Sequence, residues 1–147
     1  MEERFRTFTV LITKISRDIR KIKTAEMKEF GLSNTHVSCL YYLYKERSLS
    51  AKELMDICLE DKASLSRAIA YLEKNGYLEC ETKAKKRYNS ALKLTQKGEE
   101  IAKQITNKVD RIITFVGEGL SDESRKTMYE SLVFVSENLD KYCEKHG

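Results

Sequence analysis

The chain has 147 residues, of which 41% are hydrophobic and 34% charged, with a formal net charge of +4. That balance fits one globular domain of ordinary size and excludes a collagen-like, low-complexity or disordered chain. No apolar run is long enough to span a bilayer. The charged start MEERFRTFTV holds no signal-peptide core, so the expected location is the cytoplasm. Proline is absent and glycines number six, which favours a mostly helical chain. The four cysteines, Cys39, Cys58, Cys80 and Cys143, form no C-x-x-C pair and are expected to be reduced there.

The first predicted helix covers about Glu3 to Phe30. Phe5, Phe8, Ile12, Ile15, Ile19 and Ile22 recur every three or four residues, a heptad-like seam. Arg17, Arg20, Lys21 and Lys23 occupy the other side. A seam this long on a terminal helix can be internal core, but it suits burial against a second chain, which makes Phe5, Phe8, Ile12 and Ile15 candidate dimerisation residues. Gly31 ends the helix. Ser33 is placed to cap the next one, with Leu32 and Val37 at the spacing of a hydrophobic staple. This second helix should reach about Glu46, with Val37, Leu40, Tyr41 and Tyr44 as its core face. Arg47 and Ser48 then form a short connector.

Ser50 is followed three residues later by Glu53, the pattern of a capping box, and Leu49 and Leu54 have staple spacing. A helix is therefore expected over 51–58. Leu59 to Asp61 make a turn, and Asp61 can cap a further helix over about 62–75. Leu65, Ile69 and Leu72 share its apolar face. Lys62, Ser66, Arg67, Ala70 and Lys74 fall elsewhere. Small and cationic side chains near a helix N-terminus suit a DNA groove, since they admit close approach and meet phosphates or base edges. The candidate DNA contacts here are Lys62, Ala63, Ser64, Ser66 and Arg67. Gly76 is placed for a left-handed stop. Two short strands follow, Tyr77 to Glu81 and Ser90 to Leu94, in which apolar residues alternate with charges. Between them lies the run KAKKR, whose Lys83, Lys85, Lys86 and Arg87 suit phosphate or minor-groove contact. From Lys62 to Lys97 there are nine Lys or Arg and three Glu, a net of +6. The rest of the chain is net −2, so the positive charge is concentrated on this element.

Thr95 can cap a long helix over about 96–118, striped by Ile101, Ile105, Val109, Ile112 and Val116, with Gly117 and Gly119 breaking it. Ser121 can cap the last helix, whose apolar stripe is Met128, Leu132, Val135, Leu139 and Tyr142, widened by Val133 and Phe134. Ile112, Val116, Met128, Leu132, Val135 and Leu139 join the dimerisation candidates. Long amphipathic helices at both ends of a small reader need somewhere to bury their stripes.

The ordered set SAKELMDIC, DKASLSRAIAYLEKNGYLE, a basic tip and LKLTQKGEEI resembles the MarR family of bacterial and archaeal transcriptional regulators. DKASLSRAIAYLEKNGYLE is similar to that family's recognition helix, and LTQKG to its LTxxG segment after the wing. The resemblance covers nearly the whole chain. It implies a mainly α fold with a small β-wing, in a single domain over 1–147. A winged helix-turn-helix at 33–95 would be flanked by dimerisation helices at 1–31 and 96–147. It also implies a ligand-responsive repressor that binds a palindromic operator in double-stranded DNA as a homodimer, with no membrane contact. The expected effector is a phenolic or other amphipathic anion, with Tyr41, Tyr42, Tyr44 and Arg17 as candidate pocket residues; no other cofactor is implied. The family wing commonly carries an Asp before its Arg. Here Lys85 and Lys86 precede Arg87.

Other chemistry is poorly supplied. The two histidines, His36 and His146, accompany no phosphate-cradling loop and no nucleophile elbow, so the chain is not expected to be an enzyme. His36 with Cys39, and Cys143 with His146, have the spacing of half a metal site, but neither reaches the three or four ligands zinc needs; no metal is expected. Two alternatives remain within the same fold. Cys58 or Cys80 could couple oxidation to DNA affinity. The basic face could instead bind an acidic protein, as an interaction module that does not touch DNA.

Overall fold

A computed structural model describes the backbone of residues 2–81 and 89–147, and the side chains of those residues from Arg6 onward. The wing-tip candidates Lys83, Lys85, Lys86 and Arg87, and the side chain of Phe5, lie outside the described residues. The chain falls into two compact units, Met1–Val109 and Asp110–Gly147.

In the first unit, α1 spans Glu2–Glu26, four residues short of the expected end. Met27 turns into the core, where it is 2% exposed, and the chain tightens into a 3₁₀ turn at Lys28–Phe30. The N–H of Phe30 reaches Met27 O and that of Gly31 reaches Lys28 O, each at 3.1 Å. Bonds of this i→i+3 kind end an α-helix without needing proline. α2 spans Asn34–Glu46 and begins on the expected Ser33 cap. The core face of α2 is rotated from the one expected. Val37, Cys39, Leu40 and Leu43 are buried, while Tyr41 and Tyr44 are half-buried. A tyrosine keeps its hydroxyl end wet, so it borders a core more readily than it fills one.

The connector after α2 runs into β1, Leu49–Ser50, a strand the sequence pattern did not announce. α3 (Ala51–Cys58) and α4 (Lys62–Lys74) follow as expected, joined through Leu59, a non-glycine residue at φ 54°. β2 (Leu78–Cys80) and β3 (Ala91–Leu94) form the stem of the wing. The described sheet has three strands in the order β1-β3-β2, all antiparallel, rather than the two expected. Leu49 pairs with Leu92, and Leu78 with Leu94. Leu40, Leu43, Leu54, Leu65, Leu72, Leu78, Leu92 and Ile105 then share one core. Full burial of such a side chain is worth about 1.5–3 kcal/mol. α2 packs on α3 and α4, and α4 on β2, so this core fixes the attitude of α4.

α5 spans Gln96–Val116, two residues shorter than expected. Its start is locked to the wing stem. Thr95 Oγ1 accepts from the N–H of Gly98 at 3.1 Å and donates to Gly76 O at 2.5 Å, while the Thr95 N–H donates to Tyr77 O at 3.1 Å. A Cβ on Gly98 would lie 1.8 Å from Tyr77 O, so only glycine admits this approach.

In the second unit the chain turns at Gly117–Leu120, with Gly119 at φ 88°, into α6, Asp122–His146. Ser121 caps it by accepting from the N–H of Ser124 at 3.1 Å. Arg125 reaches back to Gly117 O at 3.3 Å. No side chain of α6 is buried. Among the described residues no helix is long and apolar enough to cross a membrane.

Candidate nucleic-acid interface

α4 buries one face and leaves the other open. Leu65, Ala68 and Leu72 point into the core, which turns Lys62, Ala63, Ser66 and Arg67 to solvent and leaves Ser64 half-buried. All five are sequence candidates, and the structure brings them onto the first two turns of one helix. Their support is local. Asp61 accepts from the N–H of Ser64 at 2.8 Å and from its hydroxyl at 2.9 Å. Arg67 Nη2 donates to the same hydroxyl at 3.2 Å. Ser64 therefore positions the Arg67 guanidinium as well as closing the cap. The backbone N–H of Ser64, then its hydroxyl, hold the Asp61 carboxyl below the usual range. An ionised Asp61 suits the positive end of the helix.

Beside α4 lies a groove of about 390 Å³ lined by Ser33, Thr35, His36, Ser64, Arg67, Ala68 and Tyr71. His36 stacks on Tyr71, with ring centroids 4.3 Å apart and planes within 10°. Its Nδ1 accepts from the N–H of Ser33 at 3.2 Å, and its own N–H donates to Ser33 Oγ at 3.3 Å. Burial lowers the His36 pKa, which favours the neutral ring that this acceptor role requires. Sequence reasoning did not place His36 or Tyr71 beside the reader, because they lie on different helices and meet only in the fold. On the wing stem, Lys93 pairs with Glu81 at 2.5 Å, and that hydrogen bond raises the Lys93 pKa. Lys97 donates to Asn75 O at 2.8 Å and lies 4.4 Å over the Tyr77 ring.

The remaining candidates are placed as follows. Phe8, Ile12 and Ile15 are exposed along α1. Val116, Met128, Leu132 and Leu139 are exposed on α5 and α6, and Ile112 and Val135 are half-buried. Tyr41 and Tyr42 meet edge to face at 5.2 Å, with Lys45 over Tyr41 and Arg47 over Tyr44. Arg17 pairs with Asp18 at 3.6 Å. His36 and Cys39 face different surroundings, the ring on Tyr71 and the thiol in the core. Among the described residues no three His, Cys, Asp or Glu side chains cluster as a metal site.

A capped, cation-bearing helix held by a small core, with a three-stranded wing stem beside it, defines a winged helix-turn-helix reader of DNA. The family described as "Winged helix DNA-binding domain" matches residues 35–113. The chain belongs to that family, and its relatives are MarR-type transcriptional regulators, which are not enzymes. It is similar to the HTH-type transcriptional regulator SarZ of Staphylococcus epidermidis, with 27% identity over 131 residues, 88% of this chain and 87% of the relative. The HTH-type transcriptional regulator BilQ of Clostridioides difficile is 24% identical over 133 residues, 90% of each chain. Among solved structures, a MarR family regulator from Listeria monocytogenes complexed with 26mer DNA has a TM-score of 0.77 and 26% identity, covering 87% of this chain and 85% of that one. A MarR family regulator from Neisseria meningitidis shares the fold, with a TM-score of 0.85 and 19% identity over 98% and 99% of the two chains.

Proposed function

We propose that this DNA-binding transcriptional regulator acts in the cytoplasm as a homodimeric, ligand-responsive repressor of a palindromic operator. The observation that carries the DNA contact is the open face of α4, where Lys62, Ala63, Ser66 and Arg67 stand clear of the core. Arg67 and Ser66 would read base edges, and Lys62 with the basic wing tip would meet phosphates. The Listeria relative, complexed with DNA, supports the reading. Uncovered apolar side chains along α1 and α6 support pairing with a second copy. A two-fold pair of readers would engage half-sites about 34 Å apart, one DNA turn. The effector would be a phenolic or other amphipathic anion that alters the spacing of the two readers.

Footprinting on the DNA flanking the chain's own gene, with sedimentation of the free protein, tests this reading. Two protected half-sites about 10 base pairs apart centre to centre, and a dimer at micromolar concentration, are the expected results. Binding with no preferred site would favour a basic interaction module instead. A monomer at the concentration where DNA is bound would sink the dimer.

A further inference from the structure

The open face of α4 leaves the groove beside it unexplained. Around this helix, Lys62, Ala63, Ser66 and Ala70 lie on the open side, while Leu65 and Leu72 lie on the core side. Ser64 and Tyr71 fall on the flank between the two, with Arg67 at the border of flank and open face. That flank forms one wall of the groove, and Ser33 and His36 at the start of α2 form the other. Buried Ala68 lines it too, and its single methyl leaves the hollow unfilled.

The groove offers side-chain donors. The N–H groups of Ser33, His36 and Val37 are spent inside the cap of α2, and the Thr35 hydroxyl is spent on Glu60 at 3.3 Å. Because His36 Nδ1 accepts from Ser33, the proton of the neutral ring sits on Nε2. Among the described residues, neither that Nε2–H nor the Tyr71 hydroxyl makes a hydrogen bond. The stack holds both rings, with centroids 4.3 Å apart, so the two donors are in place before any ligand arrives. The Arg67 guanidinium, anchored on Ser64 Oγ at 3.2 Å, adds a cation. Two neutral donors beside a cation suit an anionic oxygen. Two carboxylates stand close by, Glu60 on Thr35 and Asp61 on Ser64. They oppose the capture of a free anion. A phosphate delivered by a polymer that other cations already hold meets no such barrier.

We propose that this groove seats one backbone phosphate of the bound DNA, with His36 Nε2–H and the Tyr71 hydroxyl donating to its oxygens and Arg67 alongside. The seat rests on the DNA contact of α4 proposed above. When the open face enters the major groove, the flank of the helix faces the sugar–phosphate wall of that groove. A phosphate fastened there fixes how far α4 slides and rolls, and so the register in which Arg67 meets base edges. His36 and Tyr71 are uncharged, so they contribute geometry rather than the counterion release of a lysine contact.

The test uses the full chain and a duplex covering the half-sites protected in footprinting, made with a neutral methylphosphonate at one linkage at a time. One linkage in each half-site should weaken binding of the parent chain by about tenfold. Tyr71→Phe keeps the ring and removes the hydroxyl. It should bind the unmodified duplex about tenfold more weakly, with the salt slope and the urea midpoint unchanged, and lose little more at that one linkage. His36→Glu keeps an acceptor for the Ser33 N–H but brings a negative charge to the seat, and should lose more than Tyr71→Phe. Additive losses at every linkage, or full-strength binding by both variants, would overturn the seat and leave the DNA reading standing. Saturable binding of inorganic phosphate below about 1 mM, abolished in Tyr71→Phe, would also overturn it, since the groove would then hold a free anion. Absence of DNA binding by the parent chain faults the DNA reading itself, and the seat falls with it.

Discussion

α2 and α6 are both amphipathic helices with leucines at helical spacing, yet their leucines end in opposite environments. Leu40 and Leu43 of α2 are fully buried, whereas Leu132 and Leu139 of α6 are 42% and 56% exposed. Periodicity predicts that a helix has a face to cover; it does not say what covers it. For α2 the cover is this chain's own α3, α4 and sheet. In α6 no side chain is buried, and a stripe of this length is where the proposed second copy would bind.

That contrast can be broken directly. Leu40→Ala should cost about 2–5 kcal/mol in urea unfolding, by the same amount at every protein concentration. Leu132→Asp should instead shift the monomer–dimer equilibrium measured by sedimentation and make the melting temperature less dependent on concentration. If Leu132→Asp leaves the association state untouched, α6 is not the surface it is taken to be. Gly98→Ala tests the junction between the two kinds of helix. The added methyl collides with Tyr77 O, and a loss of about 1–3 kcal/mol is expected in the same unfolding assay.

Effects on reading come next in size. Arg67→Gln should weaken specific operator binding by about 1–3 kcal/mol and relax sequence preference, with stability preserved because Arg67 is exposed. Lys85→Ala with Lys86→Ala should weaken all DNA alike and flatten the salt dependence by about two units of slope. A gel-shift series in salt separates the two patterns. The smallest effect concerns pH. Burial lowers the His36 pKa in the folded chain, so below about pH 6.5 the unfolded chain takes up the proton more readily. The contribution is fully present above that value and is lost as pH falls toward the folded pKa. Urea midpoints between about pH 7.5 and 5 should decline, and less so in His36→Gln; parallel curves would remove His36 from that role.

The features legible in the sequence were those decided within a few residues. Ser33, Ser50, Asp61, Thr95 and Ser121 each stand at the helix start expected of them. A cap is a bond between a side chain and a backbone N–H two or three residues on, so local spacing reveals it. Even there one detail moved: the Ser50 hydroxyl donates to Glu53 Oε1 at 3.1 Å, as well as accepting from the Glu53 N–H. What escaped was non-local. β1 is only Leu49–Ser50, and its partners Leu92 and Ala91 lie far along the chain. The stacking of His36 on Tyr71 has the same character. The early end of α1 was hidden for another reason. No glycine or proline marks Met27, and only the demand of the core for its side chain turns the helix there.

The Thr95 hydroxyl answers to two masters. It completes the first turn of α5 and holds the carbonyl of Gly76, two residues past the end of α4. Lys97 fastens the neighbouring Asn75 O, and the missing side chain of Gly98 lets Tyr77 O sit against the helix. The exit of the reader and the entrance of α5 therefore form a welded elbow rather than a loose joint. A twist applied to the start of α5 has no slack in which to dissipate, so α4 and the wing stem must swing with it as one arm.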